Sequence, residues 1–529
     1  MIANRNGLKR KRPDDGLDRR AFLGRSAALV VGAVVAGRLG ECRAAAGDSR
    51  MVIAYGFPLT TLDPQKHDNA VHESVLRNVY EPLVALSADL QTMEPVLATS
   101  FRRVNDLTTQ FKLRQGVKFH NGEEFDASAV KFTVDRIFNP ETKVPLLSTY
   151  QTIDRLEVVD RYTVNFVTKK PDPVFMRRVS SLHMNIIPPK YFATASADES
   201  ARKPVGTGPY RFVSWARDGD FVMDASADYW GAKATIGRVT MRTIPEAGTR
   251  VAALLAGDAD IITAVPPDEI DRINKSGKTR ALTLPGNRIP FYMIAVRQAP
   301  LNNKLVRQAL NYGSNMDGII KTILGGHGFR RAVISNPWHV GFDASIKPYP
   351  YDPAKAKALL AQAGYPSGVT IDMHAIQGRY PKDKEIAEAL AGELGKIGVT
   401  VNLKFYEGAT WVQLADAQKL DGLIFSSWGN IWQDADLTYY PLFRSGGRYT
   451  KNWTGYANEQ LDVLVEEGRS TLDEGKRKDI YSRIQRLVFD DCPAVFMHAI
   501  EDVYGVNNRI EWKPRSDEMV RHNEMTAKG

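Results

Sequence analysis

The chain has 529 residues, enough for more than one hydrophobic core, and its composition (43% hydrophobic, 25% charged) is that of a globular protein. Two cysteines exclude a disulfide scaffold and a zinc site made of four cysteines. Of 70 Lys or Arg and 61 Asp or Glu, ten basic and four acidic residues precede residue 47. The rest of the chain is nearly neutral, which argues against a nucleic-acid partner.

The first 46 residues have the three-part layout of a secretory signal. A basic front precedes a short apolar run over residues 26–37 and small residues that end at Ala46. The run is far shorter than the roughly 20 residues that span a bilayer. Arg19 and Arg20 resemble the pair in the twin-arginine signal, which directs folded proteins to the bacterial periplasm. We therefore predict a periplasmic protein whose signal is cleaved near Ala46.

Cys42 offers a competing interpretation as a lipid attachment site. Leu39 stands three residues before it, but Glu41 occupies a position that requires a small side chain. We therefore expect no lipid anchor. Cleavage of the signal leaves Cys492 as the one cysteine of the mature chain, and its apolar surroundings indicate a buried, inert thiol.

Extended and helical patterns alternate along the rest of the chain. MVIAYG (51–56) predicts a strand, and LEVVDRYTVNFVTKK (156–170) predicts two strands that turn near Asp160. Asp352 and Pro353 predict the start of a helix, which Gly364 ends.

Apolar stripes predict two later helices, and each is followed by a strand. GVTVNLKFY (398–406) follows the first helix, and CPAVFMHAI (492–500) follows the second. The stripes consist of Ile386, Leu390 and Leu394, and of Ile480, Ile484, Leu487 and Val488. Such mixing of elements over nearly 480 residues predicts an α/β protein with large lobes.

The sequence lacks the motifs of common enzyme classes. GxSxG, HExxH, CxxC and a GxGxxG after a strand are absent. GKT at 277–279 resembles the end of a phosphate-binding loop, but Arg272 replaces its first glycine. His67 and His72 are five residues apart and so predict no helical ligand pair, although histidines from separate segments could still meet in space. We predict a binding protein and not an enzyme, with no cofactor and no metal.

Nine segments of the chain are the most informative about its relationship to known proteins. They are TTLDPQ (60–65), YEPLV (80–84), FKLRQGVKFHNGEEFDASAVKFTVDRI (111–137), VGTGPYRF (205–212), DYWG (228–231), ALLAGDADI (253–261), VRQALNY (306–312), YDPAKAKALLAQAGY (351–365) and the stretch 456–496. In this order they resemble the extracytoplasmic solute-binding proteins that serve oligopeptide, dipeptide and nickel ABC importers.

The resemblance implies an α/β fold, the two-lobed periplasmic-binding-protein fold, with a hinge and an extra domain on the first lobe. Such lobes close on a ligand, which is then handed to an ABC permease in the inner membrane. We expect a monomer whose partners are that permease and a peptide or other small-molecule ligand. The predicted boundaries are 47–84, 205–290 and 499–529 for the first lobe, 85–204 for the extra domain and 291–498 for the second lobe.

SSWGNIWQDADLTYY (426–440) resembles the family's cleft segment, which begins with a Trp. In dipeptide-binding members an aspartate three residues after that Trp pairs with the ligand's ammonium group. Here that position is Ile431, and Asp434 and Asp436 are the candidates to replace the aspartate. Two indole faces and an amide suit a ligand with flat surfaces and polar edges. The predicted ligand-binding residues are Trp428, Asn430, Trp432, Asp434, Tyr55 and Thr60.

The leading hypothesis is a periplasmic receptor for a small organic solute, most conventionally a peptide. An opine, a sugar conjugate or a metal chelate is the alternative ligand. A hydrolase with carboxylates assembled in space predicts turnover and a pH-rate profile. A sensor that presents its ligand without import differs from a transport protein in its partner, which the sequence does not identify.

Overall fold

The structure is a computed structural model that describes residues 49–67, 69–145, 147–216, 219–377 and 379–528. The predicted signal, its cleavage point and Cys42 lie outside the described residues. None of the helices in the described ranges combines the length and the apolar character that a bilayer crossing needs.

A mixed seven-stranded sheet contains the first strand of the described chain. Its strands are β1 (Arg50–Tyr55), β8 (Tyr210–Trp215), β9 (Phe221–Ala225), β10 (Arg238–Thr243), β11 (Ile261–Ile262), β12 (Thr279–Pro285) and β20 (Glu501–Asn507). Their order is β12-β20-β11-β1-β10-β9-β8, with β1 parallel to both neighbours and the other pairs antiparallel. Both faces of β1 are covered, because Ile53 and Ala54 pack into different hydrophobic clusters.

A five-stranded sheet is built from later parts of the chain. It comprises β13 (Arg288–Ile294), β15 (Val369–Ile376), β16 (Val399–Tyr406), β17 (Leu423–Gly429) and β18 (Ala494–Phe496). The order is β16-β15-β17-β13-β18; β15 is parallel to β16 and β17, whereas β13 is antiparallel to β17 and β18. The largest hydrophobic cluster surrounds this sheet.

A four-stranded antiparallel sheet has a hydrophobic cluster of its own. Its order is β4-β5-β7-β6, and Phe111, Phe166 and Phe175 lie in its core. The strands are β4 (Ala98–Asn105), β5 (Thr108–Leu113), β6 (Ile153–Asp160) and β7 (Thr163–Thr168). Three two-stranded pairs complete the described sheets: β2 (Val84–Leu86) with β3 (Met93–Pro95), β14 (Phe329–Arg330) with β19 (His498–Ala499), and β21 (Ile510–Glu511) with β22 (Thr526–Ala527).

Helices connect and cover these sheets. The described α-helices are α1 (Ala70–Leu76), α2 (Ala127–Phe138), α3 (Phe175–Val179), α4 (Pro189–Thr194), α5 (Ala197–Arg202), α6 (Ala247–Ala256), α7 (Ile270–Lys275), α8 (Lys304–Gly313), α9 (Met316–Ile323), α10 (Pro353–Gln362), α11 (Asp383–Lys396), α12 (Gly408–Asp416), α13 (Asp436–Phe443), α14 (Glu459–Ser470) and α15 (Glu474–Asp491). Short 3-10 turns lie at Pro140–Thr142, Leu147–Tyr150, Leu182–Met184, Pro267–Glu269 and His522–Glu524, and a π-helical turn at Tyr449–Thr454.

The predicted elements are found where the local sequence places them. β1, β6, β7, α10, α11, β16, α15 and β18 occupy the predicted segments. Asp352 accepts a hydrogen bond from the Lys355 backbone N–H at 2.8 Å and thereby caps α10. Gly364 beyond this helix has a φ of +95°, a left-handed conformation that favours glycine. Cys492 is buried, and burial raises the pKa of its thiol to about 12, which confirms the inert environment.

Two chain segments cross side by side between the seven-stranded and five-stranded sheets. Gly286 and Asn287 link β12 to β13, and Ile500 links β19 to β20. The Gly286 N–H donates to the Ile500 carbonyl, and the Ile500 N–H donates to the Arg288 carbonyl, both at 2.9 Å. A Cβ on Gly286 would lie 2.7 Å from the Ile500 oxygen, so only glycine permits this approach. The crossing brings the first residues of β13 and β20 together.

Candidate ligand-binding site

Two adjoining cavities lie at this crossing, and residues from both large sheets line them. They enclose about 730 and 870 Å³ of empty space, including space open to solvent, and share Ala70, Arg288 and Glu518 as lining residues. We call the first the upper cavity and the second the lower cavity. Their mixed polar and apolar lining is typical of a pocket for a small organic molecule.

Arg288 stands at the junction of the two cavities. Its guanidinium donates to the Ser427 Oγ at 3.2 Å and lies over the Tyr380 ring at 5.9 Å. Ser427 in turn donates to the Tyr380 hydroxyl at 2.6 Å. Burial disfavours the charge of Arg288, but Tyr380, Glu518 and Asp502 outweigh it and raise the pKa of the guanidinium. Among the described residues no carboxylate lies within 4.0 Å to form an ion pair with Arg288.

The lower cavity holds a buried carboxyl group on β20. The Asp502 Oδ2 has less than 1 Å² of exposed surface and no hydrogen-bond partner among the described residues. Burial, followed by the nearby Glu518 carboxylate, raises the pKa of Asp502 well above its usual range. The lower cavity therefore contains one acidic and one basic side chain, Asp502 and Arg288, neither of which is paired at contact distance with a described residue.

The upper cavity is rich in arginine. Arg77 pairs with Glu73, and Arg515 pairs with Asp517 at 2.8 Å. Arg521 forms no ion pair with a described residue, its Nε has no hydrogen-bond partner, and burial lowers the pKa of its guanidinium. This part of the site is suited to an anionic group.

The predicted cleft segment contributes alternate residues to the upper cavity. Gly429, Ile431 and Gln433 line it, whereas Trp428 does not line either cavity. Side chains alternate along β17, and Trp428 stands beside the buried Ile289 and packs at 5.8 Å against the Tyr449 ring. Ligand contact by Trp428 stays a prediction that the described cavities do not support.

The other predicted residues of this segment make structural contacts. Asn430 donates to the Asp434 carbonyl at 2.6 Å and to the Thr438 hydroxyl at 2.9 Å. Asp434 is held by both terminal nitrogens of Arg477 at 2.6 and 2.7 Å. Burial opposes the charge of Asp434, but Arg477 more than compensates and lowers the pKa of the carboxyl group. Asp434 thus has a protein cation in place of a ligand ammonium.

Trp432 lies between the segment and the region of the four-stranded sheet. It is 3% exposed, its Nε1 donates to the Ser181 Oγ at 3.2 Å, and the Arg178 guanidinium lies over the ring at 4.2 Å. Arg177 donates to the Trp432 carbonyl at 2.8 Å. Trp432 also borders a third pocket together with Asp436, and this pocket shares no lining residue with the two cavities.

The two predicted residues near β1 have different places. Tyr55 lines the lower cavity, and burial raises the pKa of its hydroxyl well above the usual range. Thr60 lies outside both cavities, where its backbone N–H donates to the His72 ring at 2.8 Å. The His67 and His72 rings stack at 5.4 Å, because His67 precedes α1 and folds back on it. No group of described residues is arranged to hold a metal ion.

Sequence reasoning missed the charged residues that converge on the cavities. Arg288 and Asp502 follow the crossings between the sheets, Glu518 lies near the C-terminus, and Arg379 precedes α11. No motif marks them, since each lies at the end of a different element. The one local signal was Gly286, two residues before Arg288, which indicates a close backbone approach.

Comparison with known proteins decides the family. A model of the bacterial extracellular solute-binding proteins, family 5 Middle, matches residues 92–450. The chain belongs to this family. Its fold is the two-lobed periplasmic-binding-protein fold with a hinge and an extra domain on the first lobe.

Relatives agree over nearly the whole chain. The glutathione-binding protein GsiB of Pectobacterium atrosepticum is 31% identical over 492 residues, 91% of this chain and 94% of GsiB. The periplasmic binding protein DppA of Helicobacter pylori, solved with the peptide STSA, is 27% identical, with a TM-score of 0.78 over 91% of this chain and 98% of DppA. AgaA of A. tumefaciens R10, solved with agropinic acid, is 26% identical, with a TM-score of 0.74 over 91% and 99% of the two chains.

Membership of family 5 establishes the general function. The chain is an extracytoplasmic substrate-binding protein of an ABC importer, which captures a small organic solute by closure of its lobes and delivers it to a membrane permease. Its relatives are solute-binding proteins and not enzymes.

Proposed function

We propose that this family 5 protein captures a short peptide with free charged termini in the joined upper and lower cavities. The observation that carries the proposal is the presence in the lower cavity of one basic and one acidic side chain, Arg288 and Asp502, which lack ion-pair partners among the described residues. A peptide supplies an ammonium and a carboxylate in one molecule, and buried charges require opposite partners. GsiB is a glutathione-binding protein, and DppA was solved with a bound peptide. Both relatives support the same ligand class.

An opine is the second candidate ligand. AgaA was solved with agropinic acid, and Ile431 leaves the cleft segment without the aspartate that the resemblance implies for an ammonium. The arginine-rich upper cavity would bind the carboxylate of an opine as well as that of a peptide. The unpartnered carboxyl of Asp502 favours the peptide, because this group requires a cation.

The ligand class is tested with mature protein purified from the periplasm. Native mass spectrometry detects any molecule that copurifies, and a thermal-shift screen compares glutathione, trialanine, agropinic acid and nickel bound to histidine, with maltose as a matched neutral control. We expect glutathione or trialanine to bind at one molecule per chain and to raise the melting temperature. Stabilisation by agropinic acid or by the nickel complex, without stabilisation by either peptide, would contradict the proposal.

Export and domain organisation complete the proposal. We infer that residues 1–46 are a twin-arginine signal cleaved near Ala46, with no lipid on Cys42, and that the mature monomer serves import. The crossing at Gly286 and Ile500 supports the proposed lobes, with the first lobe at 47–84, 205–290 and 499–529 and the second at 291–498. The extra domain is 85–204.

The export route is tested by changing Arg19 and Arg20 together to Lys. This pair is required for recognition of a twin-arginine signal, so precursor should accumulate in the cytoplasm. The matched control changes Arg10 and Arg12 to Lys in the same basic front. Normal export of the Arg19 and Arg20 variant would contradict the twin-arginine route.

A further inference from the structure

We propose that Asp502 is the subsite for the ligand's ammonium group and that Arg288, across the same cavity, receives a ligand carboxylate. This inference rests on the proposed function and deepens it: the ligand class is a peptide with a free primary amine. The cleft segment that the resemblance singles out does not provide the charge, because Ile431 occupies the position of the aspartate.

Asp502 has the features of a binding group and not of a structural one. Its Oδ2 is buried without a hydrogen-bond partner among the described residues, and it forms no ion pair with them. Buried polar groups are nearly always partnered, and among the described residues Asp502 is the one carboxyl group with a buried oxygen that lacks a hydrogen-bond partner. By comparison, Asp434 and Asp260 are paired with Arg477 and Arg509 at 2.6 Å.

The backbone positions the Asp502 carboxyl group at the crossing between the sheets. Asp502 is the second residue of β20 and stands opposite Leu284 of β12. A Cβ on Gly286 would lie 2.8 Å from both the carboxyl carbon and Oδ1 of Asp502. The glycine therefore gives one side of the carboxyl group room to pack on the backbone, and Oδ2 is left without a protein partner among the described residues.

The surroundings of Asp502 favour a cation. Glu501 and Glu518 add negative charge, and Arg288 is the compensating positive charge. Glu501 is already paired with His327 at 2.6 Å. A ligand ammonium beside Oδ2 would offset the repulsion between Asp502 and Glu518 and supply the missing hydrogen-bond donor.

Arg288 suits the opposite end of the ligand. Its planar fork can donate two parallel hydrogen bonds to a carboxylate, and one terminal nitrogen already uses the Ser427 hydroxyl. A Cβ on Gly429 would lie 3.0 Å from the other terminal nitrogen, so this glycine leaves the guanidinium open to the cavities. A zwitterion bound between Asp502 and Arg288 satisfies both groups at once.

The test measures binding of four probes by titration calorimetry: glutathione, trialanine and the N-acetylated form of each. Acetylation removes the ammonium and leaves the carboxylates. We expect wild-type protein to bind the free peptides on the order of 30-fold more tightly than the acetylated ones, in line with a hydrogen-bonded charge. Asp502→Asn should bind the free peptides more weakly than wild-type protein by a similar factor, and it should no longer prefer the free amine.

The matched control is Glu511→Gln, which neutralises an exposed carboxyl group on β21 that lines neither cavity and should retain the preference for the free amine. Equal binding of free and acetylated peptides by wild-type protein would overturn the subsite without any variant. If Asp502→Asn still prefers the free peptides over the acetylated ones as strongly as wild-type protein does, the ammonium subsite is overturned, whereas the proposed peptide function stands. If wild-type protein binds neither peptide in either form, the proposed function fails and the subsite fails with it.

Discussion

Arg288 carries a half-buried guanidinium whose hydrogen-bonding capacity is only partly used by described residues. It contacts Ser427 on the neighbouring strand β17 and Tyr380 in the loop between β15 and α11, and the nearby carboxyl groups of Asp502 and Glu518 favour its charged form. A guanidinium in this position recognises an anion by geometry as well as charge. It lies at the start of β13, next to the crossing that joins the two sheets.

Replacing Arg288 with Gln should weaken binding of peptides with a free carboxylate by about 2 kcal/mol, since a charge-assisted hydrogen bond is lost. Calorimetry with trialanine and with trialanine amide measures the effect. The amide should bind the variant and wild-type protein with similar affinity. Arg211→Gln is the control, because Arg211 is exposed on β8 and lines neither cavity. Unchanged affinity of Arg288→Gln for trialanine would rule out this role.

Binding should release a proton from Asp502. Burial and Glu518 raise the pKa of this carboxyl group, so the unliganded group retains its proton to higher pH than an ordinary aspartate. A bound ammonium favours the carboxylate and lowers that pKa. Affinity for glutathione therefore rises as pH increases from about 4, the ordinary value, through the raised pKa of Asp502. Arg288, Glu501 and Glu518 set the midpoint.

Calorimetry in two buffers of different ionisation enthalpy measures this proton release. The apparent enthalpy should depend on the buffer for wild-type protein and become independent of it for Asp502→Asn. Release of the same number of protons by both proteins would assign the titration to another group.

Substitution of Trp428 distinguishes a ligand contact from a packing role for this side chain. The resemblance to the family predicts that Trp428→Ala weakens ligand binding more than folding. The packing of Trp428 on Tyr449, with Ile289 beside it, predicts lower stability with unchanged peptide affinity. A melting curve and a peptide titration of the same preparation distinguish them. Ile431→Ala, which changes a lining residue, is the companion variant and should alter affinity with little loss of stability.

At the scale of elements, much of the fold was predictable because its signals are local. Asp352 and Gly364 bound α10, and the alternation over β6 and β7 gives both strands. The candidate site was not predictable from local signals. It forms only where the crossing of the chain brings together β13, β17, β20 and the C-terminal loop. The cleft segment predicted from the sequence borders the upper cavity through Gly429, Ile431 and Gln433, but which face of β17 meets the cavities depends on the partner strand.

Trp432 joins the cleft segment to α3 and its surroundings. Its indole is buried under Arg178 and donates to Ser181. Trp432→Ala should lower the free energy of unfolding by about 3 kcal/mol, because a large buried side chain and its hydrogen bond are removed together. Urea titration measures the change, and Trp432→Phe should retain most of the stability. A Trp432→Ala protein as stable as wild type would show that this contact is dispensable.

At the scale of the whole molecule, the charges of the site are divided between the two large sheets. Asp502 lies on β20 of the seven-stranded sheet, whereas Arg288 lies on β13 of the five-stranded sheet. A peptide that bridges these residues would link the two large sheets at the crossing between them, as closure around a ligand requires. Recognition and closure are then parts of one event.

A crystal structure of the mature protein with glutathione tests this account most directly. It should place the peptide in the joined cavities, with its ammonium about 3 Å from the Asp502 carboxyl group and a carboxylate at the same distance from the Arg288 guanidinium. Glutathione bound outside these cavities, or bound with its ammonium held by the cleft segment at Asp434 or Asp436, would contradict it.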